Sequence, residues 1–137
     1  MKSLKFVLAV DDERANNLLI QILLHEEIGL QCEFQSATTV GRALQLLDNL
    51  HTSQQAFPDL ILLDVNMPGK GGFDFLELYQ EKGFDDQYDC SVIMFSSSIS
   101  PQITEHAQQY SFVVALEEKS LDSDDLQQVI RKFFRLD

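Results

Sequence analysis

The sequence predicts a doubly wound α/β domain, a parallel five-stranded sheet covered by helices on both faces, and two observations carry that expectation. Segments of strand length and strand composition alternate with segments of helical period along the whole chain. The strands expected in the middle of the sheet are also continuously apolar, as parallel strands buried on both faces are.

The first strand is "LKFVLAV", residues 4–10, and a helix follows with Leu19, Ile22 and Leu23 as its expected inward stripe. "LQCEFQSA", residues 30–37, alternates apolar and polar positions as an edge strand does. Val40, Ala43, Leu44 and Leu47 then fall at helical spacing. "DLILLDV", residues 59–65, is a second unbroken apolar run, and Phe73, Leu76 and Tyr79 form a weaker helical stripe behind it. After "SVIMFS", residues 91–96, comes a thin stripe of Ile103, Ala107 and Tyr110. "SFVVAL", residues 111–116, precedes the clearest helix, with Leu126, Val129, Ile130 and Phe133 on one face. That helix has Asp122, Asp124 and Asp125 at its start and Arg131, Lys132 and Arg135 at its end, each sign where the helix dipole favours it. Right-handed crossovers and an edge position for the second strand give the order 2-1-3-4-5, the flavodoxin-like (βα)5 arrangement. One domain is expected over residues 1–137, without linker, repeat or low-complexity segment.

Composition narrows the function classes. A chain of 137 residues buries roughly two thirds of its unfolded surface, enough for a core without staples. No apolar stretch reaches the ~18 residues that span a bilayer, and Met1 to Lys5 lead into a run too short for a signal peptide, so a cytoplasmic protein with no membrane partner is expected. Cys32 and Cys90 lack the paired spacing of a zinc site and read as free thiols. A formal net charge of −12 opposes nucleic-acid binding, which rests on cationic side chains displacing counterions.

In an open α/β sheet, ligands bind beyond the carboxyl ends of the strands, where the strand order reverses. Here that point lies between strands one and three, which end in Asp11-Asp12 and Asp64. Three crowded carboxylates repel one another and call for a cation, and a hard divalent ion such as Mg²⁺ suits oxygen ligands. For one of Asp11 and Asp12, capping the first helix is an equal alternative. Asp64 precedes a turn, not a helix, and a carboxylate beside a metal can act as a nucleophile that forms an aspartyl phosphate. Ser96 and Lys119, at the ends of strands four and five, can supply a hydroxyl and an ammonium to a phosphoryl oxygen.

The stretches "VDDE" (10–13), "LLDVNMPGKGGFDFL" (62–76), "VIMFSSS" (92–98) and "EKSL" (118–121) stand in the order and spacing of one family. Over its whole length the chain resembles a receiver domain of a two-component response regulator. The resemblance implies Asp64 as phosphoacceptor, Asp12 and Asp64 as direct Mg²⁺ ligands with the Asn66 backbone carbonyl, and Asp11 as a ligand through water. It implies contacts from Ser96 and Lys119 to the phosphoryl group, and a turn built by Met67, Pro68 and Gly72. It also implies a sensor histidine kinase or histidine phosphotransfer protein as donor, chosen by surface shape around the first helix, and a downstream protein target. Catalysis is then confined to the domain's own phosphorylation and dephosphorylation.

Three residues depart from the family pattern: Gly71 where an aspartate is common, Leu116 at the aromatic switch position, and Ser120 where proline usually follows the lysine. With Leu116 there, signalling is expected through the "SSSIS" loop and the fourth helix. The Lys119-Ser120 peptide bond is expected trans, because a non-proline cis bond costs about 2.5 to 4 kcal/mol. Lys119 itself is expected to be an exposed loop lysine that contributes little to folding. Two rivals remain. A haloacid dehalogenase-type phosphatase needs a second aspartate two residues past the nucleophile, where this chain has Asn66. A pseudo-receiver keeps the fold as a binding module without the chemistry.

Overall fold

The strands β1 (Phe6–Val10), β2 (Glu33–Ala37), β3 (Leu60–Asp64), β4 (Ser91–Ser96) and β5 (Val113–Glu118) form one parallel sheet in the order β2-β1-β3-β4-β5, as expected. The structure is a computed structural model and describes residues 1–119 and 122–136. The expectation for the Lys119-Ser120 peptide bond lies outside the described residues. Helices α1 (Arg14–Ile22), α2 (Val40–Thr52), α3 (Gly72–Glu81), α4 (Phe84–Gln87), α5 (Pro101–Ala107) and α6 (Ser123–Arg131) connect and follow the strands. None of the described helices is long and apolar enough to cross a membrane.

Alternation along the strands divides the core in two. Leu8, Val10, Ile61, Leu63, Val92 and Met94 face α2, α3 and α5, while Val7, Leu60, Leu62, Ile93 and Phe95 face α1 and α6. Both faces of β1 and β3 are therefore buried, and the unbroken apolar runs reflect it. β5 is only partly buried and carries one extra residue opposite Val92 and Ile93, a bulge that blunts its outer edge. It begins two residues later than the apolar run, because Phe112 is still a buried lead-in whose carbonyl accepts from the Val92 N–H at 2.8 Å.

The first helix corrects the expectation. Leu19 and Ile22 are 48% and 37% exposed, and the buried residue of α1 is Asn17. Its Nδ2 donates to the backbone carbonyls of Asp11 at 3.0 Å and Ala37 at 3.4 Å, so a polar side chain closes the ends of two strands. Past Ile22 the helix widens into a π turn, Leu23–Glu27, which rotates its face and buries Leu24 completely. A single stripe of 3.6-residue period cannot describe both halves of such a helix.

The short α4 was not foreseen. Gly83, at φ 77°, turns the chain out of α3 and sets Phe84 into the core. There Phe84 joins Phe57, Tyr79 and Tyr88 in an aromatic cluster, in which Phe57 and Tyr88 stack at 3.7 Å and 3°. Further along the same face, Phe73 of α3 stacks on His106 of α5 at 3.8 Å and 7°.

Candidate phosphoryl-acceptor site

The sheet order brings the carboxyl ends of β1 and β3 side by side, with Val10 in register with Leu63. Asp64, the last residue of β3, is 2% exposed. Carboxylate oxygens of Asp11, Asp12 and Asp64 all lie within 4.8 Å of one another. Lys119, directly after β5, reaches across β4 to this cluster: its Nζ donates to Asp64 Oδ2 at 2.9 Å and lies 3.3 Å from Asp11 Oδ2. The lysine side chain is 24% exposed, so it is a part-buried member of the site, contrary to the expectation of an exposed loop residue. The cause is β5 itself, which holds the Lys119 N–H on the Ser96 carbonyl at 3.0 Å and aims the side chain inward.

Burial raises the Asp64 pKa, and the neighbouring charge of Asp11 adds to it; the Lys119 hydrogen bond and the Asn66 N–H oppose the shift without cancelling it. For Lys119, burial acts to lower the pKa, but the hydrogen bond to Asp64 and the charges of Asp11 and Asp64 prevail and raise it. The lysine is thus held as an ammonium by acids that are themselves short of positive charge.

Asp11 does two jobs. Its Oδ1 accepts the Glu13 N–H at 2.9 Å just before α1, and its Oδ2 faces Lys119 and the Asn16 amide at 3.4 Å. Glu13 is the N-cap of α1 and no side chain caps that helix, so the capping expectation is corrected: Asp11 Oδ1 binds the cap residue's own N–H and closes a turn ahead of the helix. The Asn66 N–H donates to Asp64 Oδ1 at 3.2 Å, and the Asn66 side-chain oxygen accepts from Ser96 Oγ at 3.2 Å. Ser96 Oγ also donates to the Ser98 carbonyl at 2.6 Å. All six residues singled out in the sequence, Asp11, Asp12, Asp64, Asn66, Ser96 and Lys119, stand at these strand ends.

The turn after Asp64 needs its glycines. A Cβ on Gly72 would stand 2.6 Å from the Asp64 carbonyl oxygen and 3.0 Å from Val65 Cα, so no other residue fits there. Gly71 can offer no side-chain cap to α3, and Asp74 replaces half of one by accepting the Gly71 N–H at 2.8 Å.

Sequence reasoning missed Asn17, whose amide ties the Asp11 carbonyl to α1. A signal was present, since Asn17, Ile20 and Leu24 have the i, i+3, i+7 spacing of a buried face with a polar residue at its first place.

The family model for the response regulator receiver domain matches residues 7–131. The Arabidopsis thaliana two-component response regulator ARR10 is 35% identical over 96 residues, 70% of this chain and 15% of that protein. Arabidopsis thaliana ARR5 is 34% identical over 103 residues, 71% of this chain and 54% of that protein. The chain therefore spans a minor part of the first of these relatives and about half of the second. Among solved structures, a two-component response regulator from Cytophaga hutchinsonii superposes with a TM-score of 0.77 at 24% identity, covering 96% of this chain and 97% of that one. A CheY-like receiver domain protein from Methanospirillum hungatei gives 0.76 at 25% identity, covering 95% and 93%. The chain belongs to the response regulator receiver domain family.

Proposed function

We propose that Asp64 accepts a phosphoryl group from a phosphohistidine of a sensor histidine kinase or histidine phosphotransfer protein. The observation that carries this reading is the Lys119 ammonium shared by Asp64 and Asp11 inside a cluster of three carboxylates. Asp11, Asp12 and Asp64 offer only oxygen donors within reach of one ion, a set that suits Mg²⁺, and the family resemblance would add the Asn66 backbone carbonyl to it. When bound, the ion supplies charge neutralisation for the phosphoryl oxygens.

The chain's own residues do the rest. An Asp64 carboxylate oxygen attacks phosphorus, an O–P bond forms as the N–P bond to the donor imidazole breaks, and the imidazole recovers a proton. Lys119, already hydrogen-bonded to Asp64, follows the negative charge onto the phosphoryl group. Ser96 Oγ can meet a phosphoryl oxygen only by leaving the Ser98 carbonyl, which releases the "SSSIS" loop and with it the start of α5. That exchange relays phosphorylation to a downstream protein without an aromatic ring at Leu116. Leu19 and Ile22, turned outward on α1 beside the site, give the donor an apolar face on which to dock.

Mass spectrometry after treatment with acetyl phosphate and Mg²⁺ tests the reading. A stoichiometric, acid-stable, base-labile phosphoryl adduct on Asp64 is expected. Sustained turnover of added phosphoesters points to a phosphatase of the dehalogenase type instead, and neither outcome leaves a pseudo-receiver that keeps only the fold.

A further inference from the structure

The outer rim of β2 is an open sheet edge. The Glu33 N–H donates to the Lys5 carbonyl at 2.8 Å, and the Ala37 carbonyl accepts the Asp11 N–H at 3.1 Å, so the odd-numbered residues of the strand face β1. Backbone groups alternate in direction along a strand, which turns the N–H and C=O of Phe34 and Ser36 outward. Among the described residues no backbone group meets them. Natural edge strands are guarded by charged side chains, proline or a bulge; β5 has its bulge, whereas "EFQSA" has only Glu33, at its amino end.

Helices α1 and α2 stand on either side of this rim and leave a groove of about 860 Å³ along it. Their walls match. Leu18 and Gln21 line one, and Leu46 and Gln45 line the other. Arg14 and Arg42, in the first turns of the two helices, stand where the groove meets the carboxyl end of β2, and Glu33 stands at its amino end. Among the described residues Glu33 is the only acidic one that lines the groove, so a strongly acidic molecule presents here a concave surface with a positive end.

We infer that this groove receives an extended acidic segment of a partner protein, which adds to the sheet beside β2 and places its carboxylates on Arg14 and Arg42. The backbone of such a segment pairs with the outward groups of Phe34 and Ser36. Its side chains point alternately at the Leu18 wall and the Leu46 wall, and the arginine pair selects acidic residues at one end. The surface lies on the rim of the sheet and shares no residue with the carboxylate cluster.

Titration of the full chain with the N-acetylated peptide TVTVEE, followed by amide NMR, tests the inference. Saturable shifts centred on Phe34 and Ser36 are expected, with slowed hydrogen exchange at both amides. The peptide TPTPEE, whose prolines cannot donate to the rim, should leave these amides unmoved. The peptide TVTVKK should bind at least about tenfold more weakly, as should TVTVEE with the Arg14→Glu, Arg42→Glu double variant. The lysine peptide keeps the charge test independent of that variant's folding. Absent shifts with TVTVEE, shifts confined to other elements, or equal binding of TPTPEE overturn the inference. So do β2 shifts that depend on protein concentration without peptide, which assign the rim to a second copy of this chain.

Discussion

At the amino ends of β3 and β4 the chain packs Phe57, Tyr79, Phe84 and Tyr88 ring against ring, whereas at the carboxyl ends of β1 and β3 it gathers Asp11, Asp12 and Asp64 around one lysine. The rings attract one another in every state of the protein. The carboxylates repel one another and are held by the strands that carry them and by the Lys119 ammonium that Asp64 and Asp11 share. Stabilising ring contacts are thus concentrated at one end of the sheet and the candidate site at the other. Substitutions at the two ends should separate stability from chemistry.

The largest expected effect is loss of function at the carboxylate end. Asp64→Asn should abolish phosphoryl labelling while keeping the fold, since the amide is nearly isosteric and not nucleophilic. Labelling of that variant at another residue, seen by peptide mapping, breaks the assignment.

Next comes the aromatic end. Phe84 is 2% exposed and touches His51, Phe57, Tyr79 and Tyr88, so Phe84→Ala should cost about 3 to 5 kcal/mol in urea unfolding. The labelling rate of the folded fraction should not change. A fall in that rate would show that the two ends are coupled.

Lys119→Ala leaves Asp64 and Asp11 without their cation and should destabilise the metal-free protein by about 2 kcal/mol. Saturating Mg²⁺ should recover most of that loss. Equal losses with and without Mg²⁺ would contradict a shared electrostatic role for the lysine and the ion. Phosphorylation-induced NMR shifts in α5 should also shrink in this variant.

The smallest effect has the opposite sign. Because burial raises the pKa of Asp64, its ionised form opposes folding, and Asp64→Asn should stabilise the metal-free protein at neutral pH. The folded-state pKa lies above the unfolded value, so the penalty is fully present above the folded pKa and disappears once the pH falls below about 4. Urea midpoints of the two proteins in EDTA should therefore converge on acidification. A gap independent of pH would mean that the difference is one of packing.

Much of the fold was legible because burial on two faces leaves an unbroken apolar run, which is why β1, β3 and β4 were readable at once. The grouping of the candidate residues was legible because they stand at strand ends, and the strand order then forces them together. The face of α1 was not, for two physical reasons: its buried position belongs to Asn17, chosen for two backbone carbonyls, and the π turn at Leu23–Glu27 rotates the helix partway along. The depth of Lys119 was hidden as well. It depends on β5 holding the lysine backbone against Ser96, a contact between segments far apart in the chain.

The stack of Phe73 on His106 spans the two helices that follow the turn after Asp64 and the "SSSIS" loop. An aromatic face shields protons lying over it, so the carbon-bound ring protons of His106 should resonate upfield for as long as the rings stay 3.8 Å apart. The protein thereby carries an intrinsic ruler between α3 and α5. Those protons, resolved in a carbon-edited spectrum, should move toward their random-coil position when the loop lets go of Ser96, giving a readout of the activated state without any attached label.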